Sequence, residues 1–138
     1  MHQSLHQLQS EMNVLAVIPA RFASSRFPGK PLVPIAGITL IERVYRRVCQ
    51  AARVSHVLVA TDDQQILDHV HAFGGNGVMT QANHPSGSDR IAEAAQQYGA
   101  ADLVVNVQGD EPLVEPALID SMIAAVASGP FGCATPVA

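Results

Sequence analysis

The chain is poor in charge and in long apolar runs, and each shortage excludes a class of protein. Only 14% of its 138 residues are charged and 48% are apolar. An intrinsically disordered chain is less apolar than this. No apolar run approaches the roughly 18 residues of a membrane span. The net charge of −4 argues against a general binder of nucleic acid or of anionic membranes. We therefore expect neither a nucleic-acid nor a membrane partner.

Cysteine is also scarce, and no export signal is predicted at residues 1–11. Cys49 and Cys133 lie outside any CxxC pair, and residues 1–11 lack the basic start and apolar core of a signal peptide. Both thiols are therefore expected to be reduced, and Cys49, which falls on an apolar helical stripe, is expected in the core. Residues 1–12 are predicted to be a polar tail before one domain at 13–138.

Short apolar runs alternate with helical patterns throughout residues 13–138. Strands are predicted at 14–18, 57–60, 77–80, 103–107 and 133–137, and helices at 39–52, 62–73, 88–98 and 116–128. Pro19 is expected to end the first strand, and Asp62 to cap the second helix. This alternation predicts an α/β fold: a Rossmann-like, mostly parallel sheet with helices on both faces. Ligands of such sheets bind beyond the carboxyl ends of the strands, here at residues 19–34, 84–90 and 108–115.

The first of these three loops concentrates positive charge. Arg21, Arg26 and Lys30 are three of the eight cations, and no acidic residue occurs between Glu11 and Glu42. Such a cluster at the end of a strand predicts a site for a polyanion such as a triphosphate. Because the loop has a single glycine, it is neither a GxGxxG motif nor a P-loop. The alternative is a solvated surface loop.

The third loop follows a buried strand and carries acids. Asp110, in the run Val-Gln-Gly-Asp-Glu-Pro at 107–112, suits a hard cation such as Mg²⁺ that would bridge substrate phosphates. One carboxylate cannot complete such a site, so substrate oxygens, waters or another carboxylate must contribute. The alternative is that Asp110 or Glu111 caps a helix.

The middle loop places Ser86, Gly87 and Ser88 at the start of a helix. Free backbone N–H groups and hydroxyls at such a start can contact a base edge or a phosphate. The alternative is an ordinary helix cap.

Taken together, the three loops resemble those of the 3-deoxy-D-manno-octulosonate (KDO) cytidylyltransferases. The resemblance rests on IPARFASSRFPGKPL at 18–32, VATDD at 59–63, HPSGSDR at 84–90 and NVQGDEP at 106–112, in the same order. It covers residues 13–138. Ser88 departs from the family, which more often has threonine at this position.

The resemblance implies an enzyme that uses Mg²⁺ to transfer CMP from CTP to KDO, releasing pyrophosphate, for lipopolysaccharide biosynthesis in the cytoplasm. It also implies a role for each matching residue. Arg21 and Lys30 would hold the triphosphate, the Ala20 backbone with Ser86, Gly87 and Arg90 would surround the cytidine, Arg26 and Gln108 would face the sugar acid, and Asp110 would bind Mg²⁺.

Family members are longer than this chain. The resemblance therefore implies that a further half supplies a second metal carboxylate, most of the sugar pocket and the contacts of a homodimer. Two alternatives stay open: an inactive, truncated nucleotide-binding half-domain, and a related nucleotidyltransferase that acts on another sugar acid.

Overall fold

Strands and helices alternate along the chain in the computed structural model, which describes residues 12–23, 28–81, 87–127 and 133–134. The predicted tail, apart from Met12, lies outside the described residues. The elements in chain order are β1 (Val14–Ala20), a 3-10 turn (Lys30–Leu32), β2 (Pro34–Ile35), β3 (Ile38–Thr39), α1 (Leu40–Cys49), β4 (His56–Thr61), α2 (Gln64–Ala72), β5 (Gly77–Met79), α3 (Gly87–Tyr98), β6 (Leu103–Asn106), α4 (Pro116–Ala127) and β7 (Cys133–Ala134).

Five of these strands form one parallel sheet in the order β5-β4-β1-β6-β7. β1 is central, with Val17 paired to Leu58 of β4 on one side and to Asn106 of β6 on the other. Each connection between parallel neighbours crosses over through a helix, as parallel pairing requires. The predicted parallel α/β architecture is confirmed.

Helices cover both faces of the sheet, because β1 is apolar on both. Val14, Ala16 and Ile18 face a core built with α1, α2 and α4. Leu15 and Val17 face a smaller core built with α3. All five side chains are 0–1% exposed. A strand buried on both faces reads as a continuous apolar run, which is why the β1 run has no alternation.

Pro19 does not end β1, contrary to the prediction. The strand continues to Ala20, with Pro19 paired to Ala60 of β4. The carbonyl of Val17 points towards β6, where it accepts a bond from Val107 N at 3.0 Å. Pro19, two residues on, must direct its backbone to the same side. Its missing N–H therefore faces a place where β6 has already ended, and no sheet bond is lost.

The cap of α2 is Asp63 and not Asp62. The Asp63 carboxylate accepts a bond from Ile66 N at 2.9 Å, which satisfies one of the free N–H groups of the first turn. Asp62 instead forms an ion pair with Arg90, 28 residues later. Adjacent aspartates both satisfy the capping rule, so only the tertiary contact distinguishes them.

Helix α1 starts as predicted and ends earlier. Thr39 is its cap, as its hydroxyl accepts a bond from Glu42 N at 3.4 Å. The helix ends at Cys49, which is exposed and not in the core as predicted. The following turn is held by Asp120 of α4, whose carboxylate accepts bonds from Ala52 N at 3.0 Å and Arg53 N at 2.8 Å. Because these two N–H groups bond to Asp120, they do not form the hydrogen bonds that would continue α1 to residue 52.

Candidate active site

The first and third loops meet at the carboxyl edge of the sheet, as predicted. Lys30 Nζ lies 3.8 Å from Asp110 Oδ2, and both side chains are about half exposed. An ion pair this exposed contributes at most about 1 kcal/mol. Lys30 can therefore exchange this carboxylate for another anion at little cost.

The first loop fixes Lys30 through its neighbour, Gly29. Gly29 N donates to Phe22 O at 2.7 Å, which brings the two ends of residues 22–29 together. Gly29 adopts φ +75°, a conformation that other residues rarely adopt, and a Cβ there would lie 3.2 Å from the Phe22 ring. The short turn from Lys30 begins there, with Pro31 buried beneath it. Lys30 is thus presented at the surface from a buried base.

Arg21 follows β1 directly and is exposed at the same edge. Within the described ranges it forms no ion pair. Ala20, whose backbone the resemblance places beside the cytidine, pairs with Thr61 at the end of β4. Arg26, predicted to face the sugar acid, lies outside the described residues.

The third loop is seated on β1 through Gly109. A Cβ at this position would lie 2.6 Å from the carbonyl oxygen of Pro19, so only glycine fits without a shift. On either side of it, Gln108 and Asp110 are exposed. A bond from Glu111 N to Gln108 O at 3.4 Å closes the turn. Because α4 begins at Pro116, neither Asp110 nor Glu111 caps a helix, and that alternative is wrong.

The middle loop is described only in part. Ser86 lies outside the described residues, whereas Gly87 is the first residue of α3. Arg90, in the first turn of that helix, is 1% exposed. Its Nη2 atom lies 3.4 Å from Asp62 Oδ2 and its Nη1 atom bonds to Thr80 Oγ1. Sequence reasoning missed both partners. The available signal was that Arg90 stands one turn before the buried Ala94, on the inner stripe of its helix.

The donor set at this edge suits Mg²⁺ only in part. Among the described residues, no three His, Cys, Asp or Glu side chains come close enough to hold a metal together. Of the two acids in the third loop, Asp110 offers an exposed carboxylate, whereas Glu111 is half-buried. Mg²⁺ is commonly bound by one or two carboxylates together with substrate phosphates and waters. A single protein ligand therefore fits a cation that arrives with a polyphosphate.

Two other findings bear on the class of protein. No described helix is long and apolar enough to cross a bilayer. Ligands of such sheets bind at the carboxyl ends of the strands. Arg21 and Lys30 follow β1, the first turn of α3 follows β5, and Asp110 follows β6. The fold is that of a parallel α/β domain of the nucleotide-binding type, with its ligand site expected at this edge.

Comparison with known proteins identifies the family to which this domain belongs. The family model described as Cytidylyltransferase matches residues 15–137, and the chain belongs to that family. A 3-deoxy-manno-octulosonate cytidylyltransferase of Geobacter sulfurreducens is 55% identical over 119 residues, covering 86% of this chain and 47% of the relative. One of Desulfosudis oleivorans is 54% identical over 121 residues, covering 86% and 49%.

A solved structure extends the similarity to three dimensions. The structure of CMP:2-keto-3-deoxy-manno-octonic acid synthetase complexed with CTP has a TM-score of 0.82 and 43% sequence identity to this chain. The match covers 86% of this chain and 48% of that one. The chain thus spans about half the length of the curated relatives and of the solved structure that it matches.

Proposed function

We propose that this chain is the CTP-binding half of a 3-deoxy-manno-octulosonate cytidylyltransferase. In the reaction, a hydroxyl oxygen of KDO bonds to the α-phosphorus of CTP and the bond from that phosphorus to the bridging oxygen breaks. The products are CMP-KDO and pyrophosphate, and the hydroxyl proton is released. The proposal extends to lipopolysaccharide biosynthesis, the cytoplasm and a homodimer of the full-length protein.

The observation that carries the proposal is the meeting of Lys30 and Asp110 at the end of β1. A triphosphate with its cation needs positive charge for the phosphates and a carboxylate for the metal, side by side. Arg21 and Lys30 would bind the phosphates and offset the charge that develops on the leaving pyrophosphate. Asp110 would hold Mg²⁺, which supplies Lewis-acid stabilisation of the same oxygens when bound.

The remaining roles are those that the resemblance implies for the residues around this edge. The Ala20 backbone, Ser86 and Gly87 would form the cytidine side, and Arg90 would support that side from its buried position. Gln108 is exposed next to Gly109 and would face the sugar acid, together with Arg26. The half of the relatives' length that this chain does not span would supply the rest of the sugar pocket and a second metal carboxylate.

Calorimetric titration with CTP and Mg²⁺ tests the phosphate assignment. Lys30→Ala and Arg21→Ala should each weaken binding about 10- to 100-fold, because each removes a charge-assisted hydrogen bond worth roughly 1.5–3 kcal/mol. Arg46→Ala is the matched control, since Arg46 is an exposed cation on α1 whose partner is Glu42. Variants of Lys30 and Arg21 that bind CTP like the control would contradict the assignment.

Substitution of Asp110 tests the metal assignment separately. Asp110→Asn keeps the size of the side chain and removes its charge. Its affinity for CTP should then lose most of its dependence on Mg²⁺, with an unchanged circular-dichroism spectrum. Glu115→Gln, which removes an exposed carboxylate paired with Arg47, is the control. If Asp110→Asn kept the Mg²⁺ dependence of the parent, Asp110 would not be the metal ligand.

A further inference from the structure

Arg90 is a buried cation whose polar contacts with the described residues go to the sheet edge. In the first turn of α3 it is 1% exposed, and it contacts Asp62 after β4 and Thr80 after β5. Its Nε atom is buried and has no partner in the described part of the chain. A guanidinium in this position is committed to the protein and is not presented to a ligand.

Two further side chains of α3 form hydrogen bonds with the backbone on either side of Thr80. Glu93 Oε1 accepts a bond from Gln81 N at 3.1 Å, and Gln97 Nε2 donates to Met79 O at 3.1 Å. Arg90, Glu93 and Gln97 are spaced three and four residues apart, so they share one face of the helix. That face therefore fastens α3 to the exit of β5 at three successive points.

Among the described contacts of Arg90, the carboxylate of Asp62 supplies the negative charge that balances the guanidinium. It is 14% exposed, and its carboxylate is free for this contact because Asp63 caps α2. Removing one partner of a buried ion pair leaves an uncompensated charge, which is strongly unfavourable. Arg90 would then have to leave its site, and the first turn of α3 would move with it.

We infer that Asp62 and Arg90 are positioning residues, which set the start of α3 against the ends of β4 and β5. The inference rests on the proposed function, in which Gly87 at that helix start lies beside the cytidine. Arg90 serves the base through this placement and does not touch the nucleotide. The ion pair should therefore affect binding of the cytidine and leave binding of the phosphates intact.

The test compares Asp62→Asn with Asp63→Asn. Both remove one negative charge from adjacent positions, but asparagine still caps a helix at 63. Titrations use CTP, UTP and pyrophosphate, each with Mg²⁺. Asp62→Asn should weaken CTP at least 10-fold and reduce the preference for CTP over UTP, with pyrophosphate within 2-fold of the parent. Asp63→Asn should match the parent for all three ligands.

Hydrogen exchange of the ligand-free chain provides a measurement that needs no nucleotide. In Asp62→Asn, amides in the first turn of α3 should exchange at least 10-fold faster, while those of residues 30–33 and 107–114 should be unchanged. The double variant Asp62→Asn/Arg90→Met removes both charges. It should regain the melting temperature of the parent and still lack its preference for CTP, which separates placement from stability.

Each other outcome overturns the inference. Equal losses for CTP and pyrophosphate would make Asp62 a residue of general stability, and unchanged CTP binding would deny it any role. Recovery of the CTP preference in the double variant would show that only the unpaired charge matters. A parent that binds pyrophosphate without preferring CTP refutes the proposed function and the role towards the base. Hydrogen exchange still decides in that case whether Asp62 anchors α3.

Discussion

Gly109→Ala is the smallest change that tests how the third loop sits on the sheet. The added Cβ would lie 2.6 Å from the carbonyl oxygen of Pro19, whereas ordinary contacts begin near 3.4 Å. The obstacle is backbone of the central strand, which cannot rotate away. The loop must therefore move off β1, carrying Gln108 and Asp110 with it.

The cost follows from this contact. Overpacking by one methyl group against a rigid neighbour destabilises by about 1–3 kcal/mol. For a chain of this length that corresponds to a fall of roughly 3–12 °C in Tm. Because the shift also separates Asp110 from Lys30, binding of CTP with Mg²⁺ should weaken by more than the loss of stability explains. Thermal unfolding followed by circular dichroism, and titration of the folded variant, measure the two effects.

Gly77→Ala is the matched control. A Cβ there would lie 2.7 Å from Leu67 Cδ1, which is nearly the same distance, but the neighbour is the tip of a side chain that can rotate. We expect a change below about 1 kcal/mol. The reasoning is refuted if Gly109→Ala melts and binds CTP like the parent, or if Gly77→Ala costs as much as Gly109→Ala.

Two further predictions concern stability away from the site. Burial raises the pKa of Tyr45 above its ordinary value of 10.0, so the folded state holds this proton longer than the unfolded chain and stability should fall as pH rises above 10. Urea unfolding of Tyr45→Phe should show a shallower loss between pH 9 and 11, and an unchanged slope would contradict this. Asp120→Ala leaves the N–H groups of residues 52 and 53 without their partner and should cost about 1–2 kcal/mol. The exposed Asp68→Ala should cost less than half of that, and equal losses would deny the tether.

Local patterns were sufficient to predict most elements of the fold. Two helices are followed by glycines with φ near +85°, Gly74 and Gly99, which is where the predicted helices 62–73 and 88–98 end. The apolar runs that form β1, β4 and β6 likewise predicted these strands. In these cases the signal and its cause lie within the same few residues, so no distant contact can change the outcome.

The hairpin of β2 and β3 was missed because its turn breaks the usual rule. Its central residues are Ala36 and Gly37, both with positive φ. Such turns are recognised by asparagine or aspartate before glycine, since alanine is disfavoured at positive φ. The turn is instead held from outside, as Arg43 of α1 donates hydrogen bonds to the carbonyl oxygens of Ile35 and Ala36. Sequence pattern does not reveal a turn that is stabilised by a helix.

The candidate site depends on a similar non-local fact, which is that β1 extends further than β6. Pairing between these strands stops at Val17 and Asn106, while β1 continues to Ala20. The backbone of Pro19 consequently borders an open notch at the carboxyl edge, and Gly109 fills it. Pro19 lacks an N–H on the side of β1 that faces β6, where pairing has already ended, so no hydrogen bond between the strands is lost. A glycine is needed at 109 because a Cβ there would clash with the carbonyl oxygen of Pro19. The proline that suggests a strand end and the glycine that suggests a loose loop thus jointly bring Asp110 to Lys30.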